Sequence, residues 1–255
     1  MKRLWNSFKI AFAMYSRIPM LRAEWTRENM RYVMCFFPLI GVVIGVLQYG
    51  WSFLGPLLCQ GTLLISAGYV LIPVAVTGGI HLDGFLDTAD ALSSYQPMER
   101  RLEILKDSHA GAFAIIVGIS YFLLSLGVFS ELGREELGVL AGGYVLSRAL
   151  SGLAVVSFPC AKNTGLVAMF SDAAQKARVR AVMVLFILAG SIWVCAVQPR
   201  YGVAVLLGAA GTFGHYYHMS KKNFGGITGD LAGYFVQVCE LVMAAFVLIA
   251  ARLPL

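Results

Sequence analysis

Seven apolar segments divide this chain, at roughly 33–53, 57–79, 111–130, 138–158, 181–198, 202–219 and 231–251. A helix needs about 20 apolar residues to cross a bilayer, so each segment is a candidate span. Apolar residues make up 58% of the chain and charged residues only 13%, against about 25% in soluble domains. The reading is therefore all-α: a polytopic helical bundle of about seven transmembrane helices, forming one domain over residues 1–255. Glycine and Pro73 interrupt 57–79 and predict a kink in it.

The positive charges orient the bundle. With the N-terminus in the cytoplasm and seven alternating spans, 16 of the 20 Lys and Arg residues fall inside. Arg134, Arg200 and Arg252 fall outside, and Arg148 lies within a span. This is the positive-inside pattern of a multi-pass protein of the cytoplasmic (inner) membrane. It explains the pI near 9.1 by contact with anionic lipid, without a nucleic acid partner. All six aspartates then lie on the cytoplasmic side.

The first 31 residues lack the uninterrupted apolar core and small-residue cleavage site of a signal peptide. Trp5, Phe8, Phe12 and Tyr15 recur at helical spacing beside Lys2, Arg3 and Lys9. They predict an amphipathic helix lying in the interface or packed on the bundle, ending at Arg17-Ile18-Pro19. The five cysteines show no C-x-x-C spacing and read as small apolar residues rather than zinc ligands.

Asp83, Asp87 and Asp90 follow the second apolar segment at i, i+4 and i+7. On a helix these positions fall within about 60° of one another. Three like charges on one stripe repel, and near a bilayer each also loses hydration. A hard divalent cation such as Mg²⁺ relieves both costs and keeps positions open for phosphate oxygens. The plain alternative is a solvated acidic face on a connecting helix.

Two more segments on that side carry candidate chemistry. In Lys106-Asp107-Ser108-His109, Asp107 or Ser108 caps the next helix, or Asp107 joins the metal shell and His109 serves in acid–base chemistry. In Lys221-Lys222-Asn223-Phe224-Gly225-Gly226-Ile227-Thr228-Gly229-Asp230, glycines before a helix start predict backbone N–H groups open to phosphate. There Lys221 and Lys222 serve the phosphate or anchor the span, and Asp230 caps a helix or binds metal. Arg148 and Glu240, the two charges deep in spans, both lie about 14–15 Å from the cytoplasmic ends. That shared depth predicts an ion pair, the alternative being that Arg148 is kept for a substrate phosphate.

The motifs His81-x-Asp83-Gly84-x-x-Asp87-x-x-Asp90, Lys106-Asp107-Ser108 and Gly225-Gly226-Ile227-Thr228-Gly229-Asp230 resemble those of one family. So do Ser16-Arg17-Ile18-Pro19, Phe37-Pro38-Leu39-Ile40-Gly41 and Leu146-Ser147-Arg148. It is the adenosylcobinamide-GDP ribazoletransferase family, also called cobalamin-5′-phosphate synthase, and the likeness runs from about residue 5 to 245. Ser16 stands where most members carry Thr, and Ala114 follows Phe113 where Gly is common.

The resemblance implies a transferase of cobalamin biosynthesis. It joins adenosylcobinamide-GDP to α-ribazole or its 5′-phosphate, with Mg²⁺ as cofactor and GMP as leaving group. It implies metal ligands at Asp83, Asp87 and Asp90, with Asp107 and Asp230 added. His81, His109 or one of the aspartates takes the hydroxyl proton. Substrate contacts are expected from Arg17, Arg148, Lys221, Lys222, Gly225, Gly226 and Thr228. The reading sets no oligomeric state; an oligomer is allowed.

Two other classes compete. A cation-coupled transporter would distribute acids through its spans, whereas Glu240 is the one acid placed deep here. Other Mg²⁺-dependent membrane transferases, such as prenyltransferases and CDP-alcohol phosphotransferases, also use aspartate-rich sites. The latter expect an Ala-Arg pair where Leu86-Asp87 stands.

Overall fold

The computed structural model describes residues 2–107, 109–162 and 164–254. The described residues form α1 (Lys2–Tyr15), α2 (Arg27–Met30), α3 (Val33–Leu58), α4 (Thr62–Thr77), α5 (Ile80–Ser93) and α6 (Met98–Ile104). There follow α7 (Ala112–Ser130), α8 (Arg134–Ser157), α9 (Leu166–Ala173), α10 (Lys176–Val197), α11 (Pro199–Phe224) and α12 (Gly229–Arg252). Five of these helices (α3, α7, α8, α10, α12) are each long and apolar enough to cross a membrane, and the bent pair α4–α5 brings the number to six. The expected span 202–219 lies within α11, which has the length but not the apolarity. Its second half carries His215, His218, Lys221 and Lys222.

The α8 helix is the centre of the bundle and is buried along most of its length, from Leu137 to Val156. Lipid tails are as apolar as the side chains, so helices in a membrane associate by close packing rather than by exclusion of water. Gly41 of α3 shows how close: a Cβ there would lie 2.2 Å from the Tyr144 carbonyl oxygen of α8. A polar contact reinforces the same junction. The Gln48 amide donates to the Tyr69 carbonyl of α4 at 2.5 Å and to the Tyr144 hydroxyl at 3.0 Å.

The helix α4 continues through Pro73, and the expected break in 57–79 comes at its glycines, Gly78 and Gly79. Their φ angles are +66° and +82°, a left-handed conformation that glycine adopts without steric cost. The break turns the chain by 98° into α5. As a result α5 is not a span of its own. It lies across the N-terminal ends of α7 and α12, where Asp90 meets Gly111 and Gly84 meets Asp230.

The amphipathic helix α1 packs on the bundle. Ile10, Ala11 and Phe12 are buried, Phe8 meets Phe36 of α3 edge-on, Tyr15 meets Phe37 at a tilt, and Leu4 and Trp5 remain outside. It ends at Tyr15, and the Ser16 hydroxyl donates to the Phe12 carbonyl as the chain leaves the helix. All five cysteines are free thiols.

Candidate functional site at the crossing of α5 and α12

Two helices cross here with almost no gap. A Cβ at Gly84 would sit 2.7 Å from the Cα of Asp230, and one at Gly233 would sit 3.1 Å from the Cα of His81. This contact sets the aspartate stripe of α5 against the first turn of α12. Asp87 is half-buried there, and Asp83, Asp230 and Asp90 are the carboxylates that act on it. Burial first, then these three charges, push its carboxyl up to about 7.

Asp90 has a further task. Its two carboxylate oxygens accept the backbone N–H groups of Gly111, at 2.5 Å, and Ala114, at 2.9 Å. These are unpaired donors of the first turn of α7, so Asp90 caps that helix from a neighbouring one. The expected metal ligand thus also holds the start of α7. Among the described residues no three His, Cys, Asp or Glu side chains converge closely enough to hold a metal ion by themselves.

Two cavities open beside the crossing. One, of about 270 Å³, is lined by Met14, Tyr15, Met34, Phe37, His81, Asp83 and Asp230 among others. His81 lies 6.1 Å from Tyr15 in a stacked arrangement and 5.6 Å from Phe37 edge-on. It is buried, its Nε2 has no partner among the described residues, and burial followed by the Arg148 charge lowers its pKa to about 3. The imidazole is therefore neutral, a hydrogen-bonding group in an aromatic cavity.

The second cavity, of about 350 Å³, is lined by Lys106, Lys162, Thr228 and Asp230 with the apolar start of α9. The Lys162 ammonium donates to the Leu102 carbonyl at 3.2 Å. Desolvation and then Lys106 hold it below the usual lysine range. Leu166, Val167, Gly229 and Asp230 belong to both cavities and form the wall between them. Sequence reasoning placed neither Lys162, Tyr15 nor Phe37 in a site. Its signals for them were a polar segment at 159–180, an aromatic stripe and the Phe37-Pro38 motif.

Several expected site residues lie elsewhere. The N–H groups of Gly225, Gly226 and Ile227 are already used. Gly225 donates to Lys221, Gly226 to Ser220 and Ile227 to Pro159, while Ile227 accepts from Ala161. Gly226 is pressed so tightly against residues 159–161 that a Cβ would lie 2.4 Å from the Pro159 oxygen. Gly225 and Gly226 are thus a helix stop and a packing contact, not a phosphate cradle.

Lys221 and Lys222 end α11 outside both cavities, Lys221 over the Tyr217 ring at 5.7 Å, where their charge favours the helix C-terminus. Thr228 does line the second cavity, and it is also the N-cap of α12, accepting from the Leu231 N–H at 3.2 Å. Asp107 and His109 form an exposed local pair at 2.8 Å. Arg17 is exposed and lies over Gly78 at the corner between α4 and α5. Arg148 is fully buried and paired with Glu240 inside the bundle.

Fold and site define a multi-pass helical membrane protein whose carboxylates gather at one end of the bundle, between two cavities. The chain belongs to the cobalamin-5-phosphate synthase family, whose model matches residues 7–248. It is similar to the adenosylcobinamide-GDP ribazoletransferase of Lachnoclostridium phytofermentans, 49% identical over 96% of this chain and 94% of that protein. It is 31% identical to the protein of the same name from Clostridium perfringens strain 13, over 94% and 96% of the two chains. Against that of Geobacillus kaustophilus the identity is 30%, over 95% of each. No solved structure matches the chain.

Proposed function

We propose that this chain is an adenosylcobinamide-GDP ribazoletransferase acting at the cytoplasmic face of the inner membrane in cobalamin biosynthesis. The observation that carries this reading is the pair of cavities, one aromatic and one cationic, that meet at Asp230. A transfer between two substrates requires such a junction, because the reacting atoms must come within about 3–3.5 Å of each other.

The aromatic cavity suits the base of α-ribazole or its 5′-phosphate. Tyr15 and Phe37 offer ring faces, and the free Nε2 of neutral His81 offers one hydrogen bond. The cationic cavity suits the diphosphate of adenosylcobinamide-GDP, with Lys106 and Lys162 as counter-charges. A ribose hydroxyl attacks the phosphorus joined to the cobinamide side. The new P–O bond forms as the bond to GMP breaks. Asp83 and Asp230, the carboxylates lining the aromatic cavity, are the acceptors at hand for the hydroxyl proton.

The donor set fits Mg²⁺, which takes one or two protein carboxylates and completes its shell with water and substrate phosphates. One or two of Asp83, Asp87 and Asp230 would hold it together with water and substrate phosphates, and it would neutralise charge on the diphosphate. The crowding that disfavours the Asp87 charge is the deficit such an ion relieves.

The test is an assay of the protein in proteoliposomes with adenosylcobinamide-GDP and α-ribazole, with and without Mg²⁺. Corrinoid product and GMP are expected in equal amounts and only with both substrates and the ion. GMP release at the same rate without α-ribazole would refute the two-cavity reading.

A further inference from the structure

On the side of α3 away from the aromatic cavity, another cavity of about 790 Å³ opens beside α10. Its rim holds Lys2, Arg3, Arg31 and Arg178, and its floor is apolar, with Cys35, Phe36, Leu39, Val182 and Phe186. Arg3 is paired with Glu28 at 2.8 Å, whereas among the described residues no carboxylate pairs with Lys2, Arg31 or Arg178. Arg178 donates to the Tyr32 hydroxyl at 3.0 Å, which fixes its guanidinium on the rim.

The cavity does not stop at this floor. A second one, of about 280 Å³, continues between α3, α8 and α10 and shares Phe186 with it. On α3 the two together are lined by one stripe, residues 35, 39, 42 and 46, and on α10 by residues 178, 182, 186, 189 and 193. From Cys35 to Val46 the stripe is about 16 Å long. That is the depth of one leaflet of a hydrocarbon core about 30 Å thick. The groove is open to the outside, with Val46 65% and Trp193 55% exposed.

We propose that this groove binds an anionic glycerophospholipid, its phosphate among Lys2, Arg31 and Arg178 and one acyl chain laid between α3 and α10. Basic pockets between transmembrane helices are where anionic headgroups are recognised, and here the pocket leads into a channel of leaflet depth. The charge excess at the rim and the apolar length below it are the two parts of such a lipid. A soluble phosphate compound would leave the groove uncovered. The same length of α3 walls both sites: Met34 and Phe37 face the aromatic cavity, Cys35 and Phe36 the lipid groove. A bound lipid therefore also steadies α1 and α3, which frame that cavity.

The experiment is native mass spectrometry of the full chain in detergent, titrated with phosphatidylglycerol, phosphatidylcholine or inorganic phosphate. Phosphatidylglycerol is expected to form a saturable 1:1 adduct that phosphatidylcholine does not match and millimolar phosphate does not displace. The double variant R31Q/R178Q is expected to weaken the adduct about thirty-fold, the effect of two cations at a lipid surface. The variant K221Q/K222Q removes two cations at the same end of the bundle and is expected to leave it unchanged.

Ala189→Phe places a ring in the chain groove from an exposed position. It is expected to weaken the long-chain lipid but not a six-carbon diacyl analogue with the same headgroup. Equal loss in R31Q/R178Q and K221Q/K222Q, equal binding of phosphatidylcholine, or an Ala189→Phe variant with undiminished long-chain binding would overturn the assignment. None of these readouts depends on transferase activity.

Discussion

Arg148 of α8 and Glu240 of α12 form an ion pair inside the bundle, Nη1 to Oε1 at 2.5 Å, with side chains 1% and 9% exposed. The pair is embedded in a small network. Ser147 Oγ donates to the same Glu240 oxygen at 2.9 Å, and Arg148 Nη1 also donates to the Tyr144 carbonyl at 3.1 Å. Removing one partner strands a buried charge, at a cost of about 3–5 kcal/mol. Arg148→Met and Glu240→Met are each expected to lose stability on that scale, and the double variant to recover much of it. Denaturant titrations of the four proteins of the cycle measure this; strictly additive losses would show that the charges do not depend on each other.

Gly84 lets α5 touch the backbone of α12, so Gly84→Ala forces the helices apart at Asp230. Overpacking of this kind costs about 1–3 kcal/mol, which a folded protein can tolerate. A misplacement near 1 Å at a reacting centre can cost about 100-fold in rate. The expected variant is folded, with kcat down by about two orders of magnitude. A thermal melt and steady-state kinetics on one preparation decide it, and a near-normal kcat would remove the crossing from the catalytic geometry.

Asp90 and Asp83 separate structure from chemistry. Asp90→Asn keeps one acceptor but turns an amide NH₂ toward a backbone donor at the start of α7. A loss of about 1–2 kcal/mol is expected. Asp83 is exposed, so Asp83→Asn is expected to leave stability unchanged and abolish turnover. Melting temperature and rate, measured side by side, are expected to move in opposite members of this pair.

The cationic cavity is probed by a contrast of lysines. Lys106→Ala with Lys162→Ala is expected to raise KM for adenosylcobinamide-GDP about tenfold or more, with little change for α-ribazole. Lys221→Ala with Lys222→Ala is expected to leave both KM values unchanged. The opposite pattern would return phosphate recognition to the end of α11.

The sequence made the aspartate stripe legible because i, i+4 and i+7 spacing is a local property of any helix. It made the Arg148–Glu240 pair legible because equal depth in lipid leaves two opposite charges few other partners. The glycine turn misled for a physical reason. Residues 225–227 read as a phosphate loop, but their N–H groups are taken by Ser220, Lys221 and Pro159, the last in the segment after α8, remote in sequence. Gly84, Gly233 and Lys162 stayed hidden because a glycine's close neighbour, or a lysine's cavity, exists only once helices have packed. Of the two breakers read in 57–79, glycine and Pro73, the glycines Gly78 and Gly79 make the turn through their positive φ angles.

We propose that carboxylates at the α5–α12 crossing bind the Mg²⁺ that assists transfer from adenosylcobinamide-GDP to the ribose hydroxyl. The most direct measurement of this claim is the Mg²⁺ dependence of the initial rate for the wild-type chain and for Asp230→Asn. Chelation is expected to stop wild-type turnover. The Asp230→Asn variant is expected to need at least about tenfold more Mg²⁺ for half-maximal rate, with an unchanged melting temperature. Turnover that survives chelation, or a variant with wild-type Mg²⁺ dependence, would contradict the claim.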